Sequence, residues 1–202
     1  FEKKKTDPAI ASFVQSIISI ALTILLIIII VGTLGIDTTS LAALLAGGGM
    51  AIGMALNGTV QNFAGGIMIL IFRPFKAGDY IQAQGYEGTV SEVTITSTKL
   101  TTVDNRMIVI PNGALSNGTI NNYSHNTLRR LDLSVSVEYG TSTEHAKSIL
   151  SEIINADPRV LTVETGAPAA PFIALSNLAD SSIIFTIRVW VKSQDYWNVN
   201  FD

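Results

Sequence analysis

The sequence predicts a membrane-embedded α-helical region followed by two small soluble domains, a β barrel and an α+β domain. Three observations predict it. The mean hydropathy is +0.40 and only 14% of the 202 residues are charged, against about a quarter in an ordinary globular chain. The charge is unevenly spread: residues 8–36 and 38–72 carry none, Asp37 stands alone between them, and 23 of the 29 charges fall in residues 73–202. Beyond residue 73 the pattern changes to short β-branched runs separated by glycine turns, and then to alternation interrupted by one helical stretch. The absence of cysteine excludes a disulfide scaffold, a thiolate zinc site and a cysteine nucleophile. A net charge of −3 argues against nucleic acid as the main partner.

Residues 1–37 form the first membrane element. Ala9 to Gly35 is almost continuously apolar and matches the roughly 20 residues that a span requires. A signal peptide would have a shorter apolar core, of about 7–15 residues, and a cleavage site. Residues 38–72 form the second. As one straight helix these 35 uncharged positions would reach about 52 Å, beyond the ~30 Å hydrocarbon core. A break is therefore expected at Asn57-Gly58, where glycine permits a bend, with Thr59 capping a second helix over 59–72. Lys3-Lys4-Lys5 before the first span and Arg73 with Lys76 after the second place both ends in the cytoplasm. The turn around Asp37 then lies outside.

On a helical wheel the second span has three kinds of surface. Leu41, Leu45, Ile52 and Leu56 form a large-residue face. Opposite lies a stripe of Ala43, Ala46, Gly47, Met50, Met54 and Asn57. Gly49 and Gly53 (with Ala42) form one small flank, and Ala51 with Ala55 the other. Two small flanks facing apart suit head-to-tail contacts, which close into rings. The stripe would then line the axis, with Met50 and Met54 as stacked apolar rings that gate by dewetting, above a polar ring at Asn57. Gly49 and Gly53 alone also fit a simple GxxxG helix dimer with no pore. A phosphate loop is excluded, because no strand precedes the glycines and no Gly-Lys-Ser/Thr follows. Counting from Asp37, Phe13 falls at the depth of Leu56 and Val60, where it can pass movement of the first helix to the second; ordinary packing is the alternative.

Residues 73–125 read as a small barrel. Ala77-Gly78-Asp79 and Gln84-Gly85-Tyr86-Glu87-Gly88 are turns, Thr89–Thr102 is β-rich, and Met107–Ile110 is a short buried strand stopped by Pro111-Asn112-Gly113. In residues 126–202, Leu131–Val137 alternates, Ser142–Ala156 reads as a helix, and Phe172–Leu178 and Ser182–Lys192 read as strands. This β-α-β-β order resembles half of a ferredoxin-like α+β domain. No catalytic set, metal cluster or cofactor site emerges. His125 and His145 lie in different domains without ligand spacing, Arg129-Arg130 reads as a solvated edge, and the three Asn-x-Ser/Thr matches fall in the membrane or the cytoplasm.

Several of these segments, taken together, resemble the MscS mechanosensitive channels. They are the small-residue helix Ala42–Gly58, Asn62-Phe-Ala-Gly-Gly66, Phe72-Arg-Pro-Phe-Lys-Ala-Gly-Asp-Tyr-Ile81, Ile110-Pro-Asn-Gly113 and Asn122-Tyr-Ser124. The likeness runs in order from about Pro8 to Asp202. It implies a homoheptamer in the cytoplasmic membrane, with a kinked pore helix, an Sm-like β domain and an incomplete α/β vestibule domain. Membrane tension would open it and release ions and small solutes on hypo-osmotic shock. Met50 and Met54 fall at the family's constriction, usually leucine, and Gly58 at its bend. The resemblance also implies a further transmembrane helix before Phe1 and more vestibule after Asp202. Two rival readings remain: a membrane-anchored Sm-like module binding nucleic acid, and a metabolite transporter. The first is opposed by the balanced charges of residues 73–125 and the second by the lack of intramembrane charge.

Overall fold

The computed structural model describes residues 8–202, with side chains from residue 11 onward. Lys3-Lys4-Lys5, on which the orientation argument partly rests, lie outside the described residues. The described chain divides into two compact units between Val60 and Gln61.

The first unit contains helix α1, Pro8–Thr33, and most of helix α2, Thr39–Phe72. Both are long and apolar enough to cross a bilayer. In α1 the Ser16 and Thr23 hydroxyls donate to the carbonyls of Ser12 and Ser19, at 2.9 and 2.7 Å. Each hydroxyl is thus satisfied within its own helix, as an apolar surrounding demands. Between the helices Gly35 takes φ +79°, and the Asp37 carboxylate accepts from the Thr39 hydroxyl and backbone N–H. Those two bonds, the hydroxyl's first, hold the Asp37 carboxyl below its ordinary pKa.

The expected division of the second span into two helices is corrected. Helix α2 runs without interruption through Asn57-Gly58, so Thr59 caps no helix start. Glycine inside a helix costs about 1 kcal/mol, whereas each backbone group left unpaired in hydrocarbon costs several. Continuity is the cheaper outcome.

The second unit carries an antiparallel five-stranded sheet in the order β4-β3-β2-β1-β5. Its strands are β1 Tyr80–Ala83, β2 Tyr86–Val93, β3 Ser97–Thr101, β4 Met107–Pro111 and β5 Ile120–Asn122. Between β4 and β5 lies a short helix, α3, Asn112–Asn117. The β1–β2 hairpin closes on Gln84-Gly85 alone, both at positive φ (54° and 78°), the two-residue turn that matches strand twist. Tyr86-Glu87-Gly88, expected in that turn, belong to β2 and pair with Ala83, Gln82 and Ile81. Strand β4 is also less buried than expected. Ile110 faces the core, while Met107 and Val109 are 66% and 51% exposed, because a strand covered on one face alternates. Ile81, Val90, Leu100, Ile110 and Leu115 form one core with Ile69 and Phe75.

The remaining elements match their predicted limits closely. Strands β6 Leu128–Glu138, β7 Phe172–Leu178 and β8 Ser182–Lys192 form an antiparallel sheet ordered β6-β8-β7. Helix α4, Thr143–Ala156, starts at Ser142, whose hydroxyl accepts from the His145 N–H. Two buried clusters, around Leu131 with Val189 and around Phe185 with Ile183, fill this domain. A 3-10 turn, Ser193–Asp195, then leads into helix α5, Tyr196–Phe201, neither of which was expected.

Leu100 has no exposed surface. Leu100→Ala is expected to cost about 2–5 kcal/mol, mostly as a cavity, and thermal denaturation of the detergent-solubilised chain measures it.

Candidate functional site

Helicity over Thr39–Phe72 fixes which residues of the second span share a face. Steps of three and four carry one stripe through Ala43, Ala46, Gly47, Met50, Met54 and Asn57, and Met50 and Met54 occupy consecutive turns of it. Both methionines are 71% exposed. Gly49 and Gly53 on one flank meet nothing within 4 Å, and neither does Gly58; Ala51 and Ala55 on the other flank are exposed. Phe13, Leu56 and Val60 are exposed as well. From residue 11 to residue 60 only Ile28, Val31 and Thr38 are even half-buried. Among the described residues, therefore, nothing covers the stripe, the flanks or the large-residue face.

The last turns of α2 are the opposite. Gly65, Gly66 and Ile69 are buried. A Cβ on Gly65 would lie 2.6 Å from the Asn112 carbonyl oxygen, and one on Gly66 would overlap the Ile95 carbonyl. Backbone is thus pressed on backbone, and Asn112 is the pivot. Fully buried, Asn112 accepts through Oδ1 from the Thr98 hydroxyl at 2.8 Å. Its Nδ2 donates to the carbonyls of Thr94 (2.8 Å) and Ile95 (3.1 Å). The neighbouring Gly113 N–H donates to Asn62 Oδ1 at 3.0 Å. One helix face, the β2–β3 turn and the start of α3 are joined at this point. Sequence reasoning missed the contact, quoting Asn62–Gly66 and Ile110–Gly113 only as separate segments. The usable signal was a paired glycine in a helix that otherwise gains nothing from it.

A second clasp holds the segment that follows. The buried Asp79 carboxylate accepts from the Lys76 N–H (3.1 Å) and from Asn122 Nδ2 (2.9 Å), and the same Nδ2 lies 3.0 Å from the Pro74 carbonyl it donates to. Asn122 Oδ1 accepts from the Ser124 and His125 N–H groups. Beside it lies a cavity of about 490 Å³ lined by Ile69, Arg73, Phe75, Lys76 and His125. Among the described residues no group of three or more His, Asp or Glu could hold a metal.

Asn112→Ala is expected to cost about 1–3 kcal/mol for each buried partner left unpaired. Gly66→Ala is expected to lower the melting temperature as well, because Ile95 offers backbone, which cannot step aside. Unchanged melting of both variants would show that the junction is slack.

Comparison with known proteins places this geometry. A model described as the mechanosensitive ion channel β-domain matches residues 58–125, and one described as the C-terminal region of the mechanosensitive ion channel MscS matches residues 131–202. An uncharacterised MscS family protein of Synechocystis is 38% identical over 197 residues, covering 98% of this chain and 65% of that protein. A small-conductance mechanosensitive channel of Edwardsiella ictaluri is 42% identical over 154 residues, covering 76% of this chain and 52% of that protein. The chain thus spans between half and two thirds of the length of these two relatives. The crystal structure of Helicobacter pylori MscS in its closed state superposes with a TM-score of 0.85 at 34% identity, covering 98% of this chain and 77% of that one. Matched across both soluble domains and through the helices before them, the chain belongs to the MscS family of mechanosensitive channels, a family of membrane proteins and not of enzymes.

Proposed function

We propose that this chain is the pore-forming part of an ion channel opened by membrane tension, which releases ions and small solutes on hypo-osmotic shock. The reading rests on one observation above the others: within a chain of this family, α2 carries small flanks and a Met50–Met54 stripe that none of the described residues covers. Seven copies around an axis in the cytoplasmic membrane would cover the flanks against each other and turn the stripe inward, with residues 73–202 in the cytoplasm. Small residues supply the close approach such a ring needs.

In that arrangement Met50 and Met54 are the gate. Ala43, Ala46, Gly47 and Asn57 line the pore, Gly49 with Gly53 and Ala51 with Ala55 form the packing flanks, and Gly58 is the site of bending. Burying one methionine side chain is worth roughly 1.5–3 kcal/mol, so two dry rings resist opening until tension acting on the expanding area offsets them. Lipid-facing α1 would pass tension on through Phe13 against Leu56 and Val60. Methionine is more flexible than a branched aliphatic side chain, which makes for a softer seal.

Patch recording with suction on the full-length protein in liposomes tests the reading. Tension-activated currents are expected, and Met50→Ser or Met54→Ser is expected to lower the threshold or leak at rest. Wild-type closure in both variants would remove the gate from these residues. Phe13→Ala is expected to raise the threshold, and an unchanged threshold would dissolve the proposed link.

A further inference from the structure

The outer face of the five-stranded sheet and the α+β domain line an open cleft of about 320 Å³. Its floor is a cross-strand row. Tyr80 pairs with Thr89 and Thr89 with Thr101, so the three side chains stand side by side on one face. Tyr123, whose N–H donates to the Tyr80 carbonyl at 3.0 Å, extends the row, its ring 5.9 Å from that of Tyr80. The opposite wall is Arg129, Ser193 and Trp197.

Arg129 is the only charged residue lining this cleft. It is half-buried, so the expectation of a solvated edge holds for Arg130, which pairs with Asp132 at 2.7 Å, and fails for Arg129. The Arg129 guanidinium lies 3.6 Å from the Tyr196 ring centroid and 4.8 Å from that of Tyr123. Contact with two aromatic rings restrains the guanidinium and leaves its N–H donors free to bond elsewhere. Among the described residues it has no hydrogen-bond acceptor and no carboxylate partner, and the side chains of Tyr80, Thr89, Thr101 and Trp197 make no hydrogen bond either. Among the described residues the guanidinium edge, the Thr89 and Thr101 hydroxyls and the Trp197 indole thus line one cleft without a protein partner. The volume falls at the lower end of small-molecule sites.

We propose that this cleft binds a small carboxylate-bearing solute, its carboxylate on the Arg129 edge and its remainder against Trp197 and the Thr89–Thr101 hydroxyls. A forked guanidinium matches a carboxylate with two parallel bonds. A ligand seated there bridges the β sheet to the α+β domain and stabilises both by mass action. The site does not depend on the channel reading, and its test uses no conductance.

Melting temperature and tryptophan fluorescence of the full chain in detergent, titrated with glutamate, succinate or inorganic phosphate at constant ionic strength, test it. Saturable stabilisation by glutamate or succinate is expected. Arg129→Gln should weaken it by about tenfold or more, as loss of a charge-assisted pair does, and Arg129→Lys should recover part of it. Because Arg129→Gln also removes the stacked cation, Thr89→Val and Thr101→Val serve as variants that leave the stack intact, and each should weaken binding severalfold. Phosphate binding without carboxylate binding overturns the ligand assignment. No saturable effect in the wild type, or equal binding by all variants, overturns the site.

Discussion

One buried amide holds the end of α2 against the five-stranded sheet. Asn112 is enclosed where no water reaches it, and a primary amide there must find partners for both its oxygen and its nitrogen. It finds them in Thr98 on β3 and in the carbonyls of Thr94 and Ile95 at the β2–β3 turn. Because those bonds fix the backbone of residue 112, they also fix the surface on which Gly65 and Gly66 rest. A larger residue at either glycine would push α2 off its seat, and without the amide the seat itself would lose its shape. The polar network and the close helix approach are a single constraint, satisfied jointly.

The contrast within α2 follows from this. Its glycines before residue 60 meet open space, whereas Gly65 and Gly66 meet backbone. One residue type is therefore used in two ways along a single helix. The early glycines stand open, and the later pair is consumed by the chain's own β domain. The held part of α2 is therefore its last turns, and the Asp79–Asn122 clasp continues that held region past Phe72.

Much of this was legible beforehand. The strands and helix of residues 128–192 could be placed almost to the residue because Leu131–Val137 alternates strictly and Ser142 supplies a recognisable N-cap. The α2 stripe could be read because a helical wheel needs only the period. What sequence could not supply was long-range partnership. Asn62 and Gly113 are 51 positions apart, and nothing local in Pro111-Asn112-Gly113 distinguishes a strand stop from the first turn of a helix that buries its asparagine. Arg129 was misjudged for the same reason. Its two aromatic partners lie on different elements, one following β5 and one in α5, and short basic pairs on strand edges are ordinarily solvated.

The unbroken course of α2 through Asn57-Gly58 also bears on where a bend would come from. Inside one chain every backbone hydrogen bond across that point can be made, and glycine's propensity cost is too small to forfeit even one of them in an apolar surrounding. The dipeptide therefore does not by itself impose a break. In the proposed ring, neighbouring copies and lipid would supply the load that bends it. In the proposed ring Gly58 would yield once the small flanks are occupied, while the Asn112 junction would hold the end of the helix.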